Sequence, residues 1–217
     1  MPSHTFGTIK GEIKILTIDS KAIEGNMLGD PSTRQVAIYL PPDWDKGGKE
    51  YPLFVDLVGY TGSGFAHTNW KPFAESVPQR VERLVSEEKM GEVIIALPDC
   101  FTTLGANQYI NSFAIGNWAD FLTKEMIPII EEKFPVKKGK ENRGVFGKSS
   151  GGYGAIVHGM LYSDYWGVLA CHSGDMGFES LFMGDFPKSV TQLEKHGGIQ
   201  NFLDHVKSSK KISHDDF

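Results

Sequence analysis

Cysteine is nearly absent, with two residues in 217. Two thiols cannot build a disulfide framework, so the expected home is a reducing, cytoplasmic compartment. No apolar run reaches the ~18 residues of a membrane span. Residues 1–6 (MPSHTF) lack both the basic region and the apolar stretch of a signal peptide, so no membrane partner is expected. Basic charge is not in excess either. Twenty-two Lys and Arg stand against 27 Asp and Glu, a formal net charge of −5, which argues against nucleic acid as a partner. There is no Cys-x-x-Cys and no histidine-rich cluster, so neither a metal nor another cofactor is expected. Repeats, low-complexity tracts and linker-like composition shifts are missing too. Residues 1–217 are therefore expected to form one domain.

Apolar residues make up 40% of the chain, enough for a core, and glycine (25) and phenylalanine (14) are plentiful. Alternation predicts half-exposed strands over 11–18 and 34–40, the second stopped by Pro41 and Pro42. Apolar runs over 53–58, 92–97, 144–147 and 166–171 predict strands buried on both faces. Between them, helical spacing marks 76–89, 118–134 with a kink at Pro128, 151–161, and 190–206 interrupted at Gly197 and Gly198. Residues 99–117 are aromatic and polar without a period, and loops of that length tend to be functional. Two early meander strands followed by strand–helix units imply an α/β fold, a mostly parallel six-stranded sheet with helices on both faces.

The stretch from Val145 to Gly154 carries the chemistry. Gly147, Ser149 and Gly151 match G-x-S-x-G, with a strand before and a helix after, the context of a nucleophile elbow. Glycines flank the serine because a sharp strand-to-helix turn leaves no room for a Cβ. The new helix points free N–H groups at the hydroxyl, so the Ser150 N–H is a candidate oxyanion-hole donor. The second donor is expected from the loop after the first buried strand, Gly59 to Gly64, with the Tyr60 N–H as candidate. The bland alternative is a glycine turn in which Ser149 only caps a helix. A phosphate-binding loop ending at Gly147, Lys148 and Ser149 is excluded. It needs a glycine where Asn142 stands, and residues 144–146 continue a strand.

On these residues the chain resembles the Putative esterase family of α/β-hydrolases, which includes enterochelin esterases, S-formylglutathione hydrolase, feruloyl esterases and mycolyltransferases. The matching pieces are residues 36–42 (VAIYLPP), 51–64 (YPLFVDLVGYTGSG), 93–99 (VIIALPD) and 147–155 (GKSSGGYGA). Val58 stands where the family often has a histidine before the oxyanion loop. The resemblance implies an α/β-hydrolase fold and hydrolysis of a small-molecule carboxylic ester through an acyl-Ser149 intermediate. An acyltransferase would share that intermediate, and a non-catalytic binding module would share only the fold.

The same resemblance implies an acid and a histidine after the seventh and eighth strands of an eight-stranded sheet. Six strands stop short of both, so the chain reads as the N-terminal portion of the fold, truncated or naturally short. Asp175, after the sixth strand, is a candidate acid, and His172 and His214 are candidate bases. His158 reads as a packed residue. A serine without its base retains only positioning and oxyanion donors, so weak or undetectable turnover is expected. A sheet that ends at a buried-type sixth strand exposes an edge that invites pairing, so a homodimer or pairing through that edge is expected. In the family's strand order, Cys100 and Cys171 are about 14 Å apart, beyond bridging distance, so free thiols are expected. Aromatic loops at 65–70 and 101–118 are expected to wall the serine, because loops at strand carboxyl ends form the crevice.

Overall fold

The computed structural model describes residues 8–209. Its centre is a six-stranded sheet built from β1 (Glu12–Asp19), β2 (Thr33–Leu40), β3 (Leu53–Leu57), β4 (Ile94–Pro98), β9 (Arg143–Lys148) and β10 (Val168–His172). The strand order is β1-β2-β4-β3-β9-β10. β1, β2 and β4 pair antiparallel, and β4, β3, β9 and β10 run parallel. The six strands and the mixed direction agree with the sequence pattern, but two burial expectations do not hold. β2, expected to be half-exposed, is buried on both faces because it lies between β1 and β4 with a core on either side. β10, expected to be buried on both faces, is largely exposed because it ends the sheet. Two small hairpins, β5 (Phe101–Thr102) with β6 (Gly105–Ala106) and β7 (Asn111–Ser112) with β8 (Gly116–Asn117), lie in the stretch without a period. Strands of two residues are too short to print an alternation.

Period two decides which face each side chain joins. Val36, Ile38, Leu40, Val55, Leu57 and Val145 enter the larger core with Trp118, Phe121 and Ala155. Ala37, Tyr39, Ile95 and Leu97 point the other way, onto Val81 of α1 (Val77–Ser86). That helix starts where the sequence supplies a capping box: Ser76 accepts from the Gln79 N–H, and the Gln79 side chain accepts from the Ser76 N–H. The predicted kink near Pro128 takes a specific form. α2 (Trp118–Asp120) passes through a π-helical stretch, Phe121–Met126, into α3 (Ile127–Lys133). Pro128 has no N–H for the Lys124 carbonyl and its ring would collide with it, and the widened turn relieves that conflict. Ile127 N–H reaches back five residues, to the Leu122 carbonyl.

α4 (Ser150–Leu161) follows β9 and packs on β9 and β10. β10 begins at Val168 rather than Trp166 because the Trp166 indole is drawn inward, donating to His158 Nδ1 at 3.1 Å. After β10 come α5 (Phe178–Phe182), α6 (Phe186–Lys195) and α7 (Ile199–Ser208). The break between α6 and α7 falls at Gly197 and Gly198, both at positive φ, and Phe202 and Val206 anchor α7 on Met27 and Leu28. No described helix is long and apolar enough to cross a membrane.

The two sheet faces are covered unequally. On the α1 side, Phe54, Gly144, Phe146, Val168, Ala170 and His172 line an open hollow of about 240 Å³. β10 has one sheet neighbour, β9, and leaves Val168 59% and Leu169 38% exposed. Cys100 is buried and Cys171 half-buried, both free, with two strands between the strands they follow and belong to.

His158 is fully buried, as a packed residue: Nε2–H donates to the Tyr109 carbonyl at 2.8 Å and Nδ1 accepts from Trp166. Burial lowers the proton affinity of its ring. The unfolded chain therefore takes up a proton first as pH falls below about 6.5, and stability is lost in that direction by at most about 1.4 kcal/mol per pH unit. Denaturant titrations from pH 7.5 to 5 are expected to give a flatter stability profile for His158→Gln than for the parent, from a lower starting value.

Candidate active site

Ser149 sits between β9 and α4 with φ 57° and ψ −121°, a conformation that costs a non-glycine residue about 1–3 kcal/mol. The surroundings leave it no alternative. Its N–H donates to the His172 carbonyl at 3.0 Å, and its carbonyl accepts from Tyr153 N–H at 2.9 Å. A Cβ on Gly151 would lie 1.8 Å from the Leu57 carbonyl oxygen, and one on Gly147 2.3 Å from the Gly151 carbonyl oxygen. These glycines let β3, β9 and the first turn of α4 converge at backbone contact. The elbow expected from the sequence is thus present as a strained strand-to-helix turn.

Gly59 opens the neighbouring loop, and a Cβ there would stand 3.5 Å from Ser149 Cβ and 4.0 Å from Oγ. Tyr60 follows. Its carbonyl accepts from Ala106 N–H at 2.7 Å, its hydroxyl donates to the Leu104 carbonyl, and its ring lies against Gly105. The loop is pinned by these bonds, while the Tyr60 N–H itself has no partner among the described residues. Ser150, the first residue of α4, likewise has no helical acceptor for its N–H.

Asp175 meets the serine directly. Ser149 Oγ donates to Oδ1 at 3.1 Å, and Ser150 Oγ donates to Oδ2 at 2.9 Å. A tight turn delivers the carboxylate: Ser173 takes positive φ, and Gly174 packs so closely on α4 that a Cβ would be 2.9 Å from Gly152 C and Tyr153 N. Phe178, just beyond, stands edge-on to Tyr153 with ring centres 5.8 Å apart.

The other candidate partners are placed differently. His172 offers Ser149 its carbonyl, while its exposed ring lines the hollow with Phe54 and Phe146, away from the hydroxyl. His214 lies outside the described residues. Of the two aromatic loops, the second reaches the site and the first turns away: Phe65 packs toward Tyr39 and Val81. Two features escaped sequence reading. Gln108 Nε2 donates to Ser150 Oγ at 3.3 Å, while its Oε1 is buried without a partner. His67 Nδ1 lies 2.6 Å from Oδ2 of Asp56, a carboxylate that is 2% exposed on β3. Nothing local in the sequence marks Gln108, which sits in an aperiodic stretch. Asp56 could have been noticed as a charge inside an apolar strand.

A family model described as Putative esterase matches residues 29–212. The chain belongs to that family. Among curated relatives, "Esterase Rv1288" of Mycobacterium tuberculosis is 26% identical over 142 residues, 64% of this chain and 28% of that protein. The chain thus spans under a third of the length of that relative. A ferulic acid esterase from the anaerobic fungus Anaeromyces mucronatus is 23% identical with a TM-score of 0.61, over 79% of this chain and 62% of the other. An S-formylglutathione hydrolase from Staphylococcus aureus is 18% identical with a TM-score of 0.58, over 93% and 76%. At these identities the likeness is one of fold, the α/β-hydrolase fold. In this esterase-family chain the backbone strain at position 149 can be isolated from the side chain's bonds, since Ser149→Gly and Ser149→Ala both remove Oγ. Ser149→Gly is expected to be the more stable by about 1 kcal/mol in denaturant melts.

Proposed function

We propose that the chain hydrolyses small-molecule carboxylic esters through an acyl-Ser149 intermediate. One observation carries the reading: a serine held at φ 57° on an elbow, its hydroxyl bonded to a carboxylate and flanked by two N–H groups without partners. Ser149 Oγ attacks the ester carbonyl carbon, the new C–O bond forms, and the hydroxyl proton passes to Asp175 Oδ1. The carbonyl oxygen becomes an oxyanion that accepts from the Tyr60 and Ser150 N–H groups. One such donor is worth about 10²–10³ in rate. Collapse breaks the bond to the alcohol, which leaves with the proton from Asp175. Water then repeats the sequence on the acyl-enzyme, losing a proton to Asp175 and releasing acid and Ser149.

Among the described residues Asp175 is the group in contact with Oγ, and His172 offers no ring there, which supports Asp175 as the proton acceptor in this reading. A carboxylate is a weaker base than imidazole by some two to three pK units, so slow turnover is expected. The chain is read as a single α/β-hydrolase unit, and its two free thiols support a cytoplasmic location. The open β10 edge, with exposed Val168 and Leu169, supports pairing with a second copy.

Two measurements test this. A fluorophosphonate probe is expected to label the intact protein once, with labelling lost in Ser149→Ala and short p-nitrophenyl esters hydrolysed in parallel. Absence of both activities would leave only a binding module. Light scattering is expected to give a dimer, and a monodisperse monomer would remove the edge pairing.

A further inference from the structure

Three successive carbonyls surround the Tyr60 N–H, and each is held. The Val58 carbonyl accepts from the Tyr109 hydroxyl at 2.7 Å. The Gly59 carbonyl accepts from Gly62 N–H at 3.0 Å, and the Tyr60 carbonyl from Ala106 N–H at 2.7 Å. A trans peptide is planar, so its N–H points opposite its C=O. The Tyr60 N–H therefore shares a plane with the Gly59 carbonyl, and its direction depends on the backbone torsions of Gly59 and Tyr60. Glycine gives the widest freedom at that joint. The bond to the Val58 carbonyl fixes the peptide on the near side of it. Val58 is 2% exposed and its side chain is apolar, so hydrogen bonds hold it only through its backbone.

Tyr109 is in turn set by the elbow helix. It is fully buried, and its carbonyl accepts from His158 Nε2–H on α4 at 2.8 Å. Its ring lies so close to α4 that a Cβ on Gly154 would be 2.7 Å from Tyr109 Cδ2. Its φ is 62°, a costly conformation for a bulky residue, and its N–H is held by Asn107 Oδ1. Burial keeps the phenol well above its ordinary proton affinity, so the hydroxyl stays a donor. One strained side chain thus spans from α4, which carries the Ser150 N–H, to the loop that carries the Tyr60 N–H.

We infer that Tyr109 is a positioning residue: by tying the Val58 carbonyl to α4, it sets the Tyr60 N–H relative to the Ser150 N–H so that both serve one oxyanion. The inference rests on the acyl-Ser149 reading and is independent of which group takes the serine proton. Tyr109 touches neither the nucleophile nor the reacting carbon, so its effect is specific to the charge that develops on the carbonyl oxygen.

The test uses the full chain with p-nitrophenyl acetate and its thiono analogue, in which sulfur replaces the carbonyl oxygen. Each reacts with water to release p-nitrophenol. The single-turnover acylation rate at saturation is measured apart from apparent affinity. Sulfur is a larger and poorer hydrogen-bond acceptor, so the thionoester draws little on the two N–H groups. Tyr109→Phe keeps the ring on α4 and removes the hydroxyl. It is expected to slow the oxygen ester about tenfold, short of the loss from deleting a donor outright, with affinity unchanged. The ratio of oxygen-ester to thionoester rates is expected to fall by nearly the same factor. Tyr39→Phe is the matched control. It removes another buried phenol hydroxyl, bonded to Glu82 at 3.3 Å on the α1 side of the sheet, and is expected to lower stability with the ratio unchanged. Tyr60→Phe, which frees a half-exposed side chain from the Leu104 carbonyl, is expected to lower the ratio too and keeps the test open if Tyr109→Phe does not fold. An unchanged rate, a loss confined to affinity, or equal losses on both esters would overturn the positioning role and leave the acyl-serine reading intact. A parent that hydrolyses neither ester would overturn that reading, and this inference with it.

Discussion

Backbone-to-backbone contact at the junction of β3, β9 and α4 is the constraint on which the site depends. The Leu57 carbonyl lies where a Cβ of residue 151 would be, and the Gly151 carbonyl where a Cβ of residue 147 would be. Once three backbones meet at that distance, the chain between them has one way to turn, and position 149 is forced to positive φ. The strain is offset by what surrounds it. The Ser149 N–H and carbonyl are both bonded, to His172 and Tyr153, so the turn is tied at both ends.

The sheet that supplies this junction is finished on one side and open on the other. The core containing Trp118, Phe121 and Ala155 closes one face from β1 to β9. On the opposite face α1 reaches β2 and β4 and stops, and Phe54, Phe146 and Ala170 are left around a hollow. The elbow lies over the finished side, since α4 packs there against β9 and β10. Ser149 is therefore held by the well-packed half of the molecule, away from the hollow. The Asp56–His67 pair stands apart from it, on the other face of β3 from Val55 and Leu57.

Legibility followed the length of the pattern. Strands of five residues or more showed as alternation or as apolar runs, and the six of them were readable with ends shifted by a residue or two. Their burial was not always readable: β2, read as half-exposed, is buried on both faces, and β10, read as buried on both faces, is a largely exposed edge strand. The elbow was readable because its requirement is steric and falls on consecutive positions: glycine is the residue that fits at 147 and 151. The two-residue hairpins from 101 to 117 wrote nothing, and with them Gln108 stayed hidden. The π-helical turn was half readable. Pro128 announced a disturbance, but a missing N–H can be answered by a kink or by a wider turn, and the choice belongs to the packing of Phe121, Leu122 and Met126. His172 illustrates a further limit. Its place at the end of a strand beside the serine was correct, yet period two set its ring on the opposite face from the hydroxyl.

Asp175 shows how a contact of three residues arises from close packing elsewhere. Its carboxylate reaches Ser149 because Gly174 and Gly152 allow the turn after β10 to rest on the first turn of α4, and because Ser173 accepts positive φ. The same closeness that strains the elbow thus brings in its acceptor. A carboxylate so placed needs its second oxygen occupied, since a free Oδ2 could swing toward either hydroxyl or toward solvent. Ser150 meets that need from within the elbow itself, and its hydroxyl oxygen accepts from Gln108 Nε2 on the stretch that also bonds the Tyr60 loop. Backbone, carboxylate and amide thus converge on one strained elbow, and that convergence is the physical argument behind the proposed function.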